Sequence, residues 1–243
     1  TYQISRMNIE STELQNSTET AIGYIPCYRL PFLSLFHADC MEIMKQYPDK
    51  YFDLAIVDPP YGMPKDSTHS RGKLKNRMLN NGSVEKWDIA PKSEYFNELF
   101  RVSKNQIIWG GNYFGLPGSR GFVIWDKEQP FENFSAAEFA WISYQTVSKI
   151  FRLPATRTGD ETKIHPTQKP IALYEFLVRQ YIKENDKLLD THFGSGSIAL
   201  AVDKANRLDK MNLHLTACEI DKEYIDKAIK RISESIKQGT LSF

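Results

Sequence analysis

The sequence predicts an α/β fold built on a doubly wound, mostly parallel sheet. Short apolar runs typical of buried strands alternate with amphipathic stretches of helical period, and turn residues separate them. The chain of 243 residues can bury one substantial core, so a single domain with inserted loops is expected. The hydrophobic share of 41% and the charged share of 25% are ordinary for globular proteins.

The predicted elements follow one another in the order of crossover units. The predicted strands cover residues 33–38, 52–57, 106–109, 121–125, 138–143, 187–190 and 213–218. The predicted helices cover residues 40–46, 92–102, 170–183, 196–205 and 222–236. Pro170 stands in a first helical turn, where its missing N–H costs nothing. Helices between successive strands predict parallel pairing, with both faces of the sheet covered.

Two segments show no regular pattern. Residues 1–30 are polar and are expected to form a flexible N-terminal arm, followed by one domain over 31–243. Residues 62–90 hold Gly, Asn, Ser and Lys without periodicity, which predicts a long inserted loop. Loops of this length in a compact domain are usually functional or disordered.

Charge and cysteine usage narrow the function classes. The formal net charge is +1, so attraction to a polyanion requires a local basic patch. Cys27, Cys40 and Cys218 show no paired or metal-ligand spacing, which favours a reducing compartment and predicts no metal site. No apolar run has the length of a membrane span and no signal peptide is visible, so we expect a cytoplasmic protein without a membrane partner.

The segment Asp58-Pro59-Pro60-Tyr61 follows the predicted strand 52–57 directly. It presents a carboxylate, two rigid prolines and an aromatic ring at the carboxyl end of a buried strand, where open α/β sheets bind ligands. Such a set can grip a flat ring that bears an amine, by stacking and by hydrogen bonds to the amino group. The segment therefore indicates a nucleobase as substrate. The alternative is a strand end stiffened by proline.

A glycine turn links the strand 187–190 to the next helix. After Asp190, Gly194 and Gly196 let the backbone approach a ligand closely, and the helix start offers free amide donors. The next strand is followed by Glu219, whose carboxylate can accept both hydroxyls of a ribose, which indicates a nucleoside-containing cofactor. An ordinary tight connection would explain the glycine turn alone; its pairing with Glu219 favours the binding site.

Together these motifs resemble a known family. Asp58 to Tyr61, the segment from His165 to Pro170, Asp190 to Gly196, and Glu219 are similar to the S-adenosylmethionine-dependent amino-methyltransferases of DNA. The tetrad precedes the glycine turn, as in the circularly permuted beta class of that family. The resemblance implies a Rossmann-like class I methyltransferase fold, S-adenosylmethionine as cofactor, double-stranded DNA as partner, and restriction–modification as setting.

The resemblance also implies roles for individual residues. Asp58 and the Pro59 carbonyl accept the two hydrogens of the target amine, and Tyr61 stacks on the base beside Pro60. The residues implied in cofactor binding are Asp39, Thr167, Lys169, Asp190, Phe193, Gly194, Ser195, Gly196 and Glu219. Asp39 faces the cofactor's adenine in this reading, and the alternative is a helix N-cap. For Thr167 and Lys169, near the methionine tail, the alternative is a plain turn before a helix.

One departure from the family pattern concerns the residues after Asp190. Family members commonly carry Asp-Pro-Phe-Ala here, whereas this chain has Asp190-Thr191-His192-Phe193. The acidic and glycine positions are kept, so cofactor binding is still expected. We assign no role to His192, because a lone histidine is more often simply packed.

Basic residues after the tetrad are candidates for contact with DNA phosphates. They are Lys65, Arg71, Lys73, Lys75 and Arg77, and the alternative is a solvated charged loop.

Residues 143–164 leave room only for a small target-recognition segment, which leaves a homodimer open. In the family, an acidic or amide residue before Pro-Pro-Tyr usually accompanies adenine N6, so the resemblance implies methyl transfer to N6 of a flipped-out adenine. The alternatives are cytosine N4, an RNA substrate, or an inactive nucleic-acid-binding relic.

Overall fold

The core of the protein is a sheet flanked by helices. Our computed structural model describes residues 23–62, 89–129, 135–154, 164–165 and 167–240, and within these residues the sheet has nine strands. The strands are β1 (Tyr28–Leu30), β2 (Leu33–His37), β3 (Phe52–Val57), β4 (Ser103–Trp109), β5 (Phe122–Asp126), β6 (Ala137–Ile142), β7 (Lys149–Arg152), β8 (Lys187–Asp190) and β9 (His214–Glu219). Their order across the sheet is β1-β2-β9-β8-β3-β4-β6-β5-β7.

The helices connect these strands. They are α1 (Cys40–Met44), α2 (Ser93–Val102), α3 (Ile171–Tyr181), α4 (Ser197–Asp209) and α5 (Lys222–Thr240), with a short 3₁₀ turn at Gly111–Tyr113. Every predicted strand and helix is present, with ends that differ by a few residues. Over the described ranges, no helix has both the length and the apolar character needed to cross a bilayer.

Two strands were not predicted. β1 pairs antiparallel with β2, so the flexible arm expected over residues 1–30 does not extend through Tyr28–Leu30; residues 1–22 lie outside the described ranges. β7 pairs in parallel with β5, inside the segment 143–164. Edge strands of three or four residues are too short to display a period, and their pairing partners define them instead. Most of the predicted loop 62–90 lies outside the described residues.

The core has one apolar layer on each face of the sheet. One layer joins buried residues of β2, β3 and β4 to helices α3, α4 and α5, with Leu54, Trp109 and Leu177 fully buried. The other joins the opposite face to α1 and α2, with Ile43, Phe52 and Leu99 fully buried. Removing each such side chain from water contributes about 1.5–3 kcal/mol. The helices thereby fix the positions of the strand ends.

Five adjacent strands run in the same direction and end at one edge of the sheet. β2, β9, β8, β3 and β4 pair in parallel, one after the other. Their carboxyl ends lead into Asp39, Glu219, Asp190, Asp58 and Gly110 respectively. β6 runs antiparallel to β4, with Trp109 opposite Ala140, so the beginning of β6 lies at this same edge.

Candidate active site

A cavity of about 610 Å³ lies at the carboxyl edge of the sheet. Among the residues singled out from the sequence, its lining contains Asp39, Asp58, Pro59, Pro60, Tyr61, Thr167, Lys169, Phe193, Gly194, Ser195 and Glu219. Asp190 is almost fully buried just beyond the lining, and Gly196 follows the glycine turn into α4. The basic residues Lys65, Arg71, Lys73, Lys75 and Arg77 lie outside the described residues.

The Asp58 carboxylate is held by hydrogen bonds on both oxygens. The Tyr61 hydroxyl donates to Oδ1 at 2.8 Å, and the Lys169 ammonium donates to Oδ2. The Asp58 side chain keeps 19% of its surface exposed. Each carboxylate oxygen has a second lone pair, so Asp58 can accept further hydrogen bonds from a ligand in the cavity.

Tyr61 is supported by the residues that follow β4. Its ring stacks on Tyr113, with ring centroids 5.1 Å apart and an interplanar angle of 25°. A Cβ on Gly110 would lie 2.2 Å from Tyr61 Cε1, so only glycine allows this close approach. Burial, with a further contribution from Asp58, raises the pKa of the Tyr61 phenol, which therefore remains a hydrogen-bond donor.

A chain of alternating charges extends from Asp58 into the sheet. Lys169 Nζ also pairs with Glu138 Oε2 at 3.3 Å, and Glu138 Oε1 pairs with Lys127 Nζ at 2.5 Å. Burial acts to lower the pKa of Lys169, but the carboxylates of Asp58 and Glu138 outweigh it and the pKa is raised. Burial acts to raise the pKa of Glu138, and the two lysines outweigh it and lower the pKa. The Lys169 ammonium and the Glu138 carboxylate are therefore both charged at neutral pH.

The glycine turn is fastened to its neighbours by hydrogen bonds. Gly194 (φ +51°) donates its backbone N–H to Glu219 Oε2 at 2.9 Å. The other oxygen of Glu219 accepts the backbone N–H groups of Ile220 at 2.9 Å and Asp221 at 3.0 Å. From α5, Arg231 donates to the Ser195 carbonyl oxygen at 2.9 Å. These bonds fix the carboxylate of Glu219 beside the turn.

Asp190 is a buried carboxyl group with an altered pKa. It is 3% exposed and accepts the backbone N–H of His192 at 3.0 Å. Within the described residues it forms no ion pair. Burial, reinforced by the negative charges of Asp58 and Glu219, raises its pKa to about 7. A cationic ligand group would supply the partner that this carboxylate lacks.

The departure from the family pattern after Asp190 has a structural explanation. The Thr191 hydroxyl hydrogen bonds with the Tyr95 hydroxyl of α2 at 2.6 Å and with His192 Nδ1 at 2.9 Å. Burial lowers the pKa of His192 to about 4, so its ring is neutral at neutral pH. The polar pair Thr191-His192 is therefore satisfied by its neighbours, and it links the glycine turn to α2.

Asp39 and Thr167 each have a local partner and also reach the cavity. Asp39 Oδ1 accepts the backbone N–H of Met41 at 2.8 Å, so the N-cap interpretation is confirmed. Thr167 Oγ1 lies 3.1 Å from His165 Nδ1, in a turn before α3. Since both residues line the cavity, their local roles leave contact with a ligand open.

Several lining residues were missed by sequence reasoning. They are Ile89, Glu138, His165, Gln168, Tyr174, His192, Ile220, Asp221 and Tyr224. Glu138 begins the strand predicted over residues 138–143, and the sequence assigned it no role in the site. Glu138 lies at the beginning of an antiparallel strand, whereas sequence analysis searched for site residues at the carboxyl ends of parallel strands. This explains why Glu138 was not assigned to the site.

Comparison with known protein sequences identifies relatives. A sequence profile of the family described as "DNA methylase" matches residues 124–230. Type II methyltransferase M2.MboI of Moraxella bovis is 22% identical over an alignment that covers 69% of this chain and 78% of that protein. Type II methyltransferase M.HinfI of Haemophilus influenzae is 28% identical over an alignment that covers 83% of this chain and 68% of that protein.

Comparison with solved structures identifies proteins of the same fold. The PvuII DNA methyltransferase, described as cytosine-N4-specific, matches with a TM-score of 0.58 and 14% identity, covering 89% of this chain and 95% of that one. A complex of M1.HpyAVI with SAM matches with a TM-score of 0.54 and 21% identity, covering 82% of this chain and 99% of that one. At such identities the likeness concerns the fold alone.

Proposed function

Because the chain belongs to the S-adenosylmethionine-dependent DNA amino-methyltransferases and has their class I methyltransferase fold, we propose that it methylates N6 of adenine in double-stranded DNA. The observation that carries the proposal is the Asp58 carboxylate, which faces the cavity between Tyr61 and Lys169. An ionised carboxylate accepts hydrogen bonds but cannot donate them, whereas the exocyclic amine of adenine donates them.

The cavity suits the cofactor of the family. S-adenosylmethionine supplies an electrophilic methyl group. Its ammonium and sulfonium groups are positive, and the acidic side chains of Asp39, Asp190 and Glu219 lie at the ends of three strands beside the cavity. In the proposal, Asp190 and the glycine turn hold the methionine part, and Glu219 accepts a ribose hydroxyl. Glu219 Oε2 accepts one backbone N–H and keeps a second lone pair for that hydroxyl, whereas Oε1 already accepts the N–H groups of Ile220 and Asp221.

The proposed chemistry depends on orientation of the target amine. The lone pair of an aromatic amine is delocalised into its ring, which makes the amine a poor nucleophile. The Asp58 carboxylate and the Pro59 carbonyl oxygen accept hydrogen bonds from the two N–H groups of the amine and thereby direct its lone pair out of the ring plane. One amine proton is released to water during or after methyl transfer, so a strong base is unnecessary. Holding both reactants in line lowers the barrier.

The amine of a paired adenine is hidden inside the duplex, so the proposal includes base flipping. Extruding the base costs a few kcal/mol. Stacking on an aromatic ring returns about 1–3 kcal/mol per base, and Tyr61 is the ring available beside Asp58. The stack of Tyr61 on Tyr113 keeps that ring in place.

The product of the reaction tests the proposal. Purified protein is incubated with labelled S-adenosylmethionine and unmethylated duplex DNA, and the nucleosides are separated after digestion. We expect N6-methyldeoxyadenosine. N4-methyldeoxycytidine as the sole product would reject adenine as the target. Methylation of RNA that equals or exceeds that of DNA would reject the DNA substrate.

The variant Asp58→Ala tests the role of the carboxylate. Loss of the carboxylate that accepts a hydrogen bond from the target amine is expected to slow methyl transfer about 100- to 1,000-fold, while the Kd for the cofactor changes less than about threefold. The matched control is Asp226→Ala on α5, whose exposed carboxylate pairs with Lys222. That control should keep the wild-type rate. Wild-type turnover by Asp58→Ala would remove Asp58 from the mechanism.

A further inference from the structure

Lys169 is a deeply buried charged side chain that is bonded directly to Asp58. Its side chain is 3% exposed, and its ammonium lies 5.1 Å from the centre of the Trp109 ring. The resemblance assigns it to the methionine tail of the cofactor, but the ammonium is bonded to Asp58 Oδ2 and paired with Glu138. A buried ammonium is costly unless carboxylates compensate it, and here two of them do.

We infer that Lys169 and Glu138 are positioning residues, which hold the Asp58 carboxylate in one orientation for the target amine. The inference rests on the proposed function, since it concerns the carboxylate that accepts the amine. Lys169 fixes Oδ2 while Tyr61 fixes Oδ1, so the carboxylate plane cannot rotate freely. Its remaining lone pairs then point to defined places in the cavity.

Glu138 has a different part in this arrangement. Among the described residues, the bonds to the Asp58 carboxylate come from Tyr61 and Lys169, not from Glu138. Glu138 instead pairs with Lys169 Nζ at 3.3 Å and with Lys127. The two carboxylates draw the ammonium to a position between them. Glu138 therefore stabilises the protonated, fixed state of Lys169, and its effect on Asp58 depends on Lys169 being present.

Removal of the ammonium tests the inference. Lys169→Ala is expected to slow single-turnover methyl transfer about 100-fold, with cofactor and DNA affinities changed less than about threefold. Propylammonium added to this variant should restore the rate at least about tenfold, whereas propanol of similar size should not. Equal rescue by both compounds, or no loss of rate, would overturn the inference, because a packing defect is filled equally well by a neutral molecule.

A double-mutant cycle tests the coupling without depending on the stability of one variant. Glu138→Gln keeps the shape of the side chain and is expected to slow the transfer about tenfold. In the Lys169→Ala background the same change should slow it less than about threefold. Independent effects, which multiply to about 1,000-fold, would contradict the dependence of Glu138 on Lys169.

The control and the product analysis separate the two proposals. Lys104→Ala removes an exposed lysine that pairs with Asp53. Both residues lie at the amino ends of their strands, β4 and β3, away from the cavity, so this variant should leave the rate unchanged. All rates are measured on whichever base the wild-type protein methylates. Formation of N4-methyldeoxycytidine alone rejects the adenine proposal and leaves the rate ratios to decide the positioning role. A wild-type protein that methylates neither base refutes both.

Discussion

At the residue scale, the site contains carboxyl groups with different surroundings. Asp58 has a cationic partner in Lys169, whereas Asp190 is buried without one among the described residues. Burial raises the pKa of Asp190 from its ordinary value of 3.8 to about 7. The folded protein therefore holds this proton more tightly than the unfolded chain does. The contribution to stability is complete below pH 3.8 and is lost as the pH rises towards 7.

The same pKa predicts how cofactor binding depends on pH. A cationic group bound at Asp190 requires the ionised carboxylate, so binding competes with protonation below pH 7. Between pH 5.5 and 6.5, the Kd for S-adenosylmethionine should fall about tenfold, as expected for one linked proton. Isothermal titration calorimetry at each pH measures it. In Asp190→Asn the affinity should be weak and independent of pH over this range. A pH-independent Kd in the wild-type protein would exclude Asp190 as the cation's partner.

Residue identity alone predicted part of this site. The positions of Asp58 and Glu219 follow from the sequence, because each stands directly at the end of an apolar strand. The partnership of Asp58 with Lys169 does not, since 111 residues separate them and the turn before α3 brings them together. Likewise the raised pKa of Asp190 depends on burial and on neighbours that no local pattern reveals.

At the element scale, the end of β4 supports the end of β3. β4 leads into Gly110 (φ +67°) and the 3₁₀ turn, and this backbone packs directly on the ring of Tyr61. This segment serves both the core and the site: Trp109 is fully buried in the core, whereas Tyr113 stacks on Tyr61 at the cavity.

This contact predicts the effect of Gly110→Ala. The added Cβ would lie 2.2 Å from the Tyr61 ring, and the positive φ disfavours alanine. We expect a loss of about 1–3 kcal/mol in the free energy of unfolding and a methyl-transfer rate reduced at least about tenfold. Gly115→Ala is the matched control, since no atom lies within 4 Å of its added Cβ. Chemical denaturation and single-turnover rates measure both effects. Wild-type values for Gly110→Ala would show that Tyr61 needs no support from this turn.

At the scale of the whole molecule, binding of DNA cannot rest on overall charge. The formal net charge is +1, with 31 basic and 30 acidic residues. Attraction to phosphates must therefore come from local clusters of basic side chains, and the sequence offers such a cluster directly after the tetrad. The proposal that this segment contacts DNA follows from its place in the chain next to Asp58.

Neutralising that cluster should weaken DNA binding in a salt-dependent way. The test is a triple variant that carries Lys73→Ala, Lys75→Ala and Arg77→Ala. Log K falls as log salt rises, and each lost phosphate contact makes this slope less steep by about 0.9. We expect a slope reduced by up to about 2.7 for the three changes, measured by fluorescence anisotropy at several salt concentrations. A control variant replaces the exposed Lys210, Lys230 and Lys237, which changes the net charge equally. An identical slope in both variants would show that the effect reflects total charge rather than this segment.

The sequence by itself determined the α/β fold, the order of the helices and strands, and the grouping of acidic residues at strand ends. These features depend on local periodicity and on the rule that parallel strands end at one edge. Only the tertiary structure decided the pairing of β1 and β7, the contact of Gly110 with Tyr61, and the charge chain from Asp58 through Lys169 and Glu138. Those contacts join residues far apart in the chain, so their energies depend on packing that no local pattern contains.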